Sequence, residues 1–138
     1  MTPLVIDASV ALKWVLRESD SAIAEALLDR QDLIAPDFLQ IECANSLWVA
    51  ARKGLITADQ AALGLGKIAA APVAWRTIAP YAAPAHRIAT EIDRTAYDCL
   101  YLAVAIAERG SFITADRRFA NAAKAHSTYA KFVTLLGA

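Results

Sequence analysis

Four acidic residues of this sequence lie where apolar surroundings are expected. Asp7 and Asp116 follow short strand-like runs at 4–6 and 112–114, and Glu42 and Asp98 interrupt apolar segments of helical composition. Carboxylates gathered at one site repel one another, by about 4 kcal/mol for a pair 4 Å apart at an effective dielectric of 20. Mg²⁺ and Mn²⁺ offset that repulsion, because they take carboxylate and water oxygens as ligands. The pattern therefore favours a metal site open to phosphate chemistry, provided that the fold brings the four residues together.

Three of these carboxylates also have a structural explanation. Asp98 is the third residue after Thr95, so the pair could form a capping box at the start of a helix over 95–109. Asp7 and Asp116 could each cap the helix that follows it. At a shared site, repulsion should raise the pKa of at least one carboxylate above its value in the unfolded chain.

Glu42 is harder to explain as a surface residue. Asn45 and Ser46 follow it by three and four residues, so all three lie on one face of a predicted helix that is otherwise apolar. A solvated face explains one glutamate more readily than it explains this polar stripe. We therefore expect Glu42 to face the other three carboxylates.

Strand-like and helix-like segments alternate along the whole chain. Strands are predicted at 4–6, 33–35, 73–78, 112–114 and 132–135, and helices at 8–16, 19–30, 36–52, 57–71, 85–92, 95–109 and 117–126. Pro36 is assigned to the first turn of its helix, and Gly110 to the left-handed position that ends the helix at 95–109. The alternation predicts one compact α/β domain over 1–138, with a parallel sheet flanked by helices. Ligands bind such sheets at the carboxyl ends of the strands, where Asp7 and Asp116 are placed.

Composition and charge narrow the function further. The 14 acidic residues balance the 14 basic ones, but neutralising four carboxylates with metal leaves an excess of about four positive charges, which permits a polyanionic partner. Arg117 and Arg118 occupy a first helical turn, where the helix dipole disfavours cations unless an anion is near, either the carboxylate cluster or a phosphate ligand that they would contact. No apolar run reaches the ~18 residues of a membrane span and no signal peptide begins the chain, so a cytoplasmic protein is expected.

The remaining reactive residue types give little support to other chemistries. Cys43 and Cys99 are isolated in apolar segments and are expected to be reduced core residues. His86 and His126 are the two histidines, which gives poor support to histidine catalysis. No glycine-rich phosphate loop is present.

Four motifs in this order resemble the PIN-domain ribonucleases, and within them the VapC-type toxins. They are Val-Ile-Asp-Ala-Ser-Val at 5–10, the stretch 36–45, Tyr-Asp-Cys-Leu-Tyr-Leu-Ala at 97–103 and Thr-Ala-Asp at 114–116. The resemblance implies a PIN-like fold and a Mg²⁺- or Mn²⁺-dependent endoribonuclease whose acidic residues map onto the four carboxylates above. It implies Ser9, Asn45 and Thr114 as residues that support them. It also implies a small VapB-type antitoxin as partner, an RNA substrate and a homodimer.

Three alternatives stay open at this point. The chain could be a PIN nuclease that processes RNA without being a toxin. A phosphorelay receiver domain has a similar length but needs an adjacent acidic pair after its first strand, whereas Asp7 lies between Ile6 and Ala8. A phosphatase of the haloacid dehalogenase type needs an Asp-x-Asp start, and Ser9 replaces its second aspartate.

Overall fold

The computed structural model describes residues 2–138 and contains a five-stranded parallel sheet. The strand order is β3-β2-β1-β4-β5, and all four neighbouring pairs are parallel. The strands are β1 (Leu4–Ile6), β2 (Leu33–Pro36), β3 (Ala74–Arg76), β4 (Ser111–Thr114) and β5 (Val133–Leu135). The strand formed first in the sequence is thus the centre of the sheet. Every strand ends at the same edge, as the sequence predicts.

Helices flank this sheet. They are α1 (Ala8–Ala11), α2 (Ser21–Ala26), α3 (Phe38–Arg52), α4 (Ala58–Ala69), α5 (Ala82–Ile92), α6 (Ala96–Ala107) and α7 (Arg117–Lys124). Helix α6 packs against β1, β2 and β4 and against α5. Its side chains from Cys99 to Ala105 are all buried, which accounts for its almost wholly apolar sequence. The predicted α/β domain with a parallel sheet and flanking helices is confirmed.

The extents of α1 and α3 differ from the predictions. The helix expected at 8–16 is only the four residues of α1, followed by a 3₁₀ turn over Leu12–Trp14. Pro36 was assigned to a helix, but it is the last residue of β2 and lies opposite Arg76 of β3. The next amide, that of Asp37, donates to the Arg76 carbonyl at 2.8 Å. Strand pairing therefore delays the start of α3 to Phe38.

The predicted end of α6 is also wrong in one detail. The left-handed residue is Arg109, at φ 55°, and not Gly110. Glycine is required at 110 for another reason: a Cβ there would lie 2.3 Å from the carbonyl oxygen of Pro3. The same Pro3 oxygen accepts a hydrogen bond from the Ser111 amide at 3.0 Å, which begins the pairing of β1 with β4. The close approach thus sets the register of the two strands that carry Asp7 and Thr114.

Within residues 2–138, none of the helices has both the length and the apolar character needed to cross a membrane.

Candidate functional site

Asp7 follows β1 at the carboxyl edge of the sheet and is held by three hydrogen bonds. The Ser9 hydroxyl donates to Oδ1 at 2.5 Å, the Thr114 hydroxyl donates to Oδ2 at 2.5 Å, and the Val10 amide donates to Oδ1 at 3.2 Å. Burial raises the pKa of Asp7 from 3.8 to about 6, even though these donors lower it, and the neighbouring Asp116 charge raises it slightly further. The carboxylate is therefore fixed in position and costly to ionise without a cation.

Ser9 and Thr114 also tie the ends of β1 and β4 together. The Ser9 oxygen accepts from the Ala115 amide at 2.9 Å, and the Thr114 oxygen accepts from the Asp116 amide at 3.1 Å. Thr114 is fully buried. Each hydroxyl thus uses the backbone of the β4–α7 turn as its donor and the Asp7 carboxylate as its acceptor.

Glu42 enters from α3 and is held by a residue of α6. The buried Tyr101 hydroxyl donates a hydrogen bond to Glu42 Oε1. Burial raises the pKa of Glu42, the Tyr101 hydrogen bond opposes that effect, and the charges of Asp7 and Asp98 add to it. Burial also raises the pKa of Tyr101, so this residue stays a neutral donor. Asn45 is exposed, and no hydrogen bond joins it to a carboxylate within the described chain.

Asp98 and Asp116 approach each other from the first turn of α6 and the start of α7. Burial raises the pKa of Asp98, the Thr95 hydroxyl and the Arg94 charge oppose this, and the Asp116 charge adds to it. Asp116 caps α7, since its Oδ1 accepts from the Phe119 amide at 3.1 Å. Asp7 likewise caps α1. The capping explanation of Asp7 and Asp116 is therefore correct, and it is compatible with their clustering. At Asp98 the structure shows one half of the predicted capping box, in which the Thr95 hydroxyl accepts from the Asp98 amide at 3.2 Å.

The four carboxylates form a closed ring of electrostatic neighbours. The charge of Asp116 raises the pKa of Asp7 and of Asp98, and the charges of Asp7 and Asp98 raise the pKa of Glu42. In every resolved case burial, and not the expected mutual repulsion, is the largest cause of the raised pKa. The sequence predicted the direction of these shifts but not their main cause.

The donor set of this ring suits a hard divalent cation. All donors are carboxylate oxygens, and a buried aspartate with a pKa near 6 favours a counter-charge. As they stand, no three acidic, histidine or cysteine side chains in residues 2–138 approach closely enough to ligate one ion together. Mg²⁺ commonly binds through only one or two carboxylates and retains several waters. The residues therefore fit such an ion by their chemistry.

Two residues of this site were not predicted from the sequence. One is Tyr101, which lies in α6. The other polar side chains of this helix are Asp98 and its two neighbours, Tyr97 and Cys99. The spacing of three residues between Tyr101 and Asp98 places both on one helical face, and that spacing is the signal that could have revealed Tyr101. The other is Arg94, whose Nη2 lies 3.8 Å from Asp98 and 3.9 Å from Asp116.

The other predicted candidates lie around or outside the ring. Arg117 and Arg118 are exposed in the first turn of α7, directly after Asp116. His86 is exposed, and His126 stacks on Tyr129 with its Nε2 3.5 Å from Glu91. The two cysteines are free and buried, as predicted.

Comparison with known proteins agrees with this architecture. Residues 4–125 match the PIN domain, so the chain belongs to the PIN-domain family. Ribonuclease VapC3 of Pyrobaculum aerophilum is 32% identical over 120 residues, which cover 85% of this chain and 92% of that relative. The predicted resemblance to the VapC-type ribonucleases of this family is thereby confirmed. The crystal structure of PAE2754, from the same organism, has a TM-score of 0.71 over 88% of this chain and 79% of its own, and at 23% identity it shows the fold.

Proposed function

We propose that this protein is a Mg²⁺- or Mn²⁺-dependent endoribonuclease that hydrolyses RNA phosphodiester bonds. The observation that carries the proposal is the ring of four carboxylates, Asp7, Glu42, Asp98 and Asp116, at the carboxyl edge of the sheet. The similarity to Ribonuclease VapC3 supports RNA as the substrate. Membership of the PIN family favours the nuclease over a receiver domain or a phosphatase.

Each part of the ring has a defined task in this proposal. A bound Mg²⁺ or Mn²⁺ would polarise the scissile phosphate and lower the pKa of an attacking water. Asp7 would hold that ion in a fixed position, because Ser9 and Thr114 fix both of its oxygens. Glu42, which lies on α3 and is oriented by the Tyr101 hydroxyl of α6, would supply a further carboxylate to the ion.

The exposed cations beside the ring complete the proposed substrate path. Arg117 and Arg118 follow Asp116 on α7 and are both exposed. We assign them to the RNA backbone, which such side chains contact through phosphate oxygens. Asn45 is exposed on the same face of α3 as Glu42. Its side chain would therefore contact bound substrate or solvent, and not the carboxylates directly.

We also propose a toxin role, with a VapB-type antitoxin as inhibitor and a second copy of the chain as dimer partner. The VapC3 relative supports the first part. Large apolar side chains exposed on α3 and α4, among them Ile41 at 62%, Trp48 at 56% and Leu63 at 63%, support protein contacts in general. Light scattering of the purified chain measures the dimer. Growth arrest on expression, relieved when a VapB-type antitoxin is co-expressed, measures the toxin role.

Cleavage of RNA by the purified protein tests the proposed activity. We expect cleavage with Mg²⁺ or Mn²⁺, none with EDTA, and none from Asp7→Asn under any condition. Hydrolysis by an activated water leaves 5′-phosphate and 3′-hydroxyl ends, whereas attack by the ribose 2′-hydroxyl leaves a 2′,3′-cyclic phosphate. Cyclic ends, or full activity of Asp7→Asn at saturating metal, would contradict the proposal.

A further inference from the structure

Arg94 places a cation among the proposed metal ligands. It lies in the turn between α5 and α6, directly after Asp93, whose backbone is left-handed at φ 56°. Its Nη2 is 3.8 Å from Asp98 Oδ2 and 3.9 Å from Asp116 Oδ2. One guanidinium nitrogen is therefore shared by carboxylates from two different helices.

This guanidinium is held by charge and not by hydrogen bonds to those carboxylates. Both distances exceed the 2.7–2.9 Å of a charge-assisted hydrogen bond by about 1 Å. The Arg94 Nε is buried and has no hydrogen-bond partner in residues 2–138. An arginine that serves only to brace two elements normally uses its donors in paired, directional bonds. Within residues 2–138 the Arg94 guanidinium makes no hydrogen bond to either carboxylate, so its displacement from them breaks none.

A divalent cation at this part of the ring needs the same oxygens. Asp116 uses its Oδ1 to accept from the Phe119 amide, which leaves Oδ2, the oxygen that faces Arg94, for a cation. On Asp98 the oxygen nearest to Arg94 is also Oδ2. The side chain of Arg94 is 28% exposed, so it has a way out toward solvent.

We infer that Arg94 is an internal counter-ion that competes with the divalent cation for Asp98 and Asp116. The inference rests on the proposed metal-dependent function. Without metal, Arg94 offsets the repulsion between the two carboxylates and stabilises the fold. When the ion binds, Arg94 must leave, so it lowers the affinity for metal. Removing its charge therefore has opposite effects on the two properties, whereas loss of a purely bracing arginine would weaken both.

Calorimetric titration with Mn²⁺ measures the first effect. Arg94→Gln should bind Mn²⁺ about tenfold more tightly than the wild type, the change expected from a unit charge about 6 Å from a divalent ion at the dielectric of water. Arg94→Lys keeps the charge and should stay within about threefold of the wild type. Lys124→Gln is the matched control, because it removes one exposed positive charge about 12 Å along α7 from Asp116. In EDTA, Arg94→Gln should melt below both the wild type and Lys124→Gln.

The wild-type protein offers a second measurement that does not depend on the variant folding. In ¹⁵N spectra of the arginine side chains, the Arg94 Nε–H signal should shift and exchange faster as Mg²⁺ is added, in step with the binding curve. An Arg94 signal that Mg²⁺ leaves unchanged overturns the inference.

The outcomes separate this inference from the proposed function. If wild type and Arg94→Gln bind Mn²⁺ equally and both cleave RNA, the inference fails and the function stands. A tenfold gain in Arg94→Lys as well would show that charge is not the cause, and would also overturn it. If neither protein binds Mn²⁺, both the inference and the metal-dependent function fail.

Discussion

Replacing Asp7 with asparagine should make the metal-free protein less sensitive to pH. The carboxylate has a pKa of 3.8 in the open chain and about 6 in the fold, because the fold buries it. A pKa that is raised on folding means that the folded state holds a proton which the unfolded state has lost. The contribution of protonated Asp7 to the free energy of unfolding is therefore fully present below pH 3.8 and is lost as the pH rises through 6.

The size of the effect follows from the shift. About two pKa units correspond to about 3 kcal/mol of unfolding free energy in full, of which about 2.5 kcal/mol is lost between pH 4 and pH 7.5. Asparagine cannot accept from both hydroxyls, so losing the hydrogen bond from Ser9 or Thr114 should cost about 1 kcal/mol. In EDTA, Asp7→Asn should thus be about 2 kcal/mol more stable than the wild type at pH 7.5 and less stable at pH 4.

Urea unfolding at the two pH values measures this difference directly. Asp32→Asn is a control of opposite sign, because Arg30 holds the pKa of Asp32 below its usual value, so its loss should destabilise the protein above pH 4. The effects of Glu42 and Asp98 are present in all three proteins and largely cancel. Parallel pH curves for the wild type and Asp7→Asn would refute the argument, since they would mean that Asp7 ionises as an ordinary carboxylate does.

Three other substitutions test separate parts of the structure. Asp98→Asn should abolish RNA cleavage and lose most of the ~2.7 kcal/mol that Mn²⁺ at a hundredfold excess over its dissociation constant gives the wild type, as thermal melts will show. Tyr101→Phe keeps the buried ring but frees the glutamate that it holds, so Mn²⁺ affinity should fall about tenfold while the far-ultraviolet dichroism is unchanged; an unaltered affinity would mean that the hydrogen bond is incidental. Gly110→Ala forces a Cβ onto the Pro3 carbonyl and should cost about 2–4 kcal/mol in urea unfolding. Gly66→Ala in α4, which meets no atom within 4 Å, is its control and should be neutral or stabilising by up to about 1 kcal/mol.

The strand ends and the buried helix of this site could be predicted because their signals are local. A short apolar run that stops at an aspartate, or one carboxylate in an apolar helix, is visible within a few residues of sequence. The bond between Tyr101 and Glu42 joins positions 59 residues apart, so the spacing from Asp98 could have placed Tyr101 on the site's face of α6 but could not have identified its partner. Arg94 was missed for a similar reason, since its approach to Asp116 joins positions 22 residues apart in the sequence.

Predictions from local propensity were also wrong at two positions where the backbone of a distant segment decides the conformation. Proline usually favours a first helical turn, but pairing with β3 keeps Pro36 in a strand. Glycine usually takes the left-handed position after a helix, but the carbonyl of Pro3 makes it necessary one residue later. In both cases the deciding contact is tertiary.

The central place of β1 governs when a newly made copy of this protein becomes complete. The Thr114 hydroxyl that holds Asp7 is synthesised 107 residues after it. At about 5–20 residues per second, translation separates the two by roughly 5–20 s. During that interval β1 lacks β4, and Asp98 and Asp116 have still to be made or have only just been made. A chain whose synthesis stops before β4 therefore lacks the assembled ring.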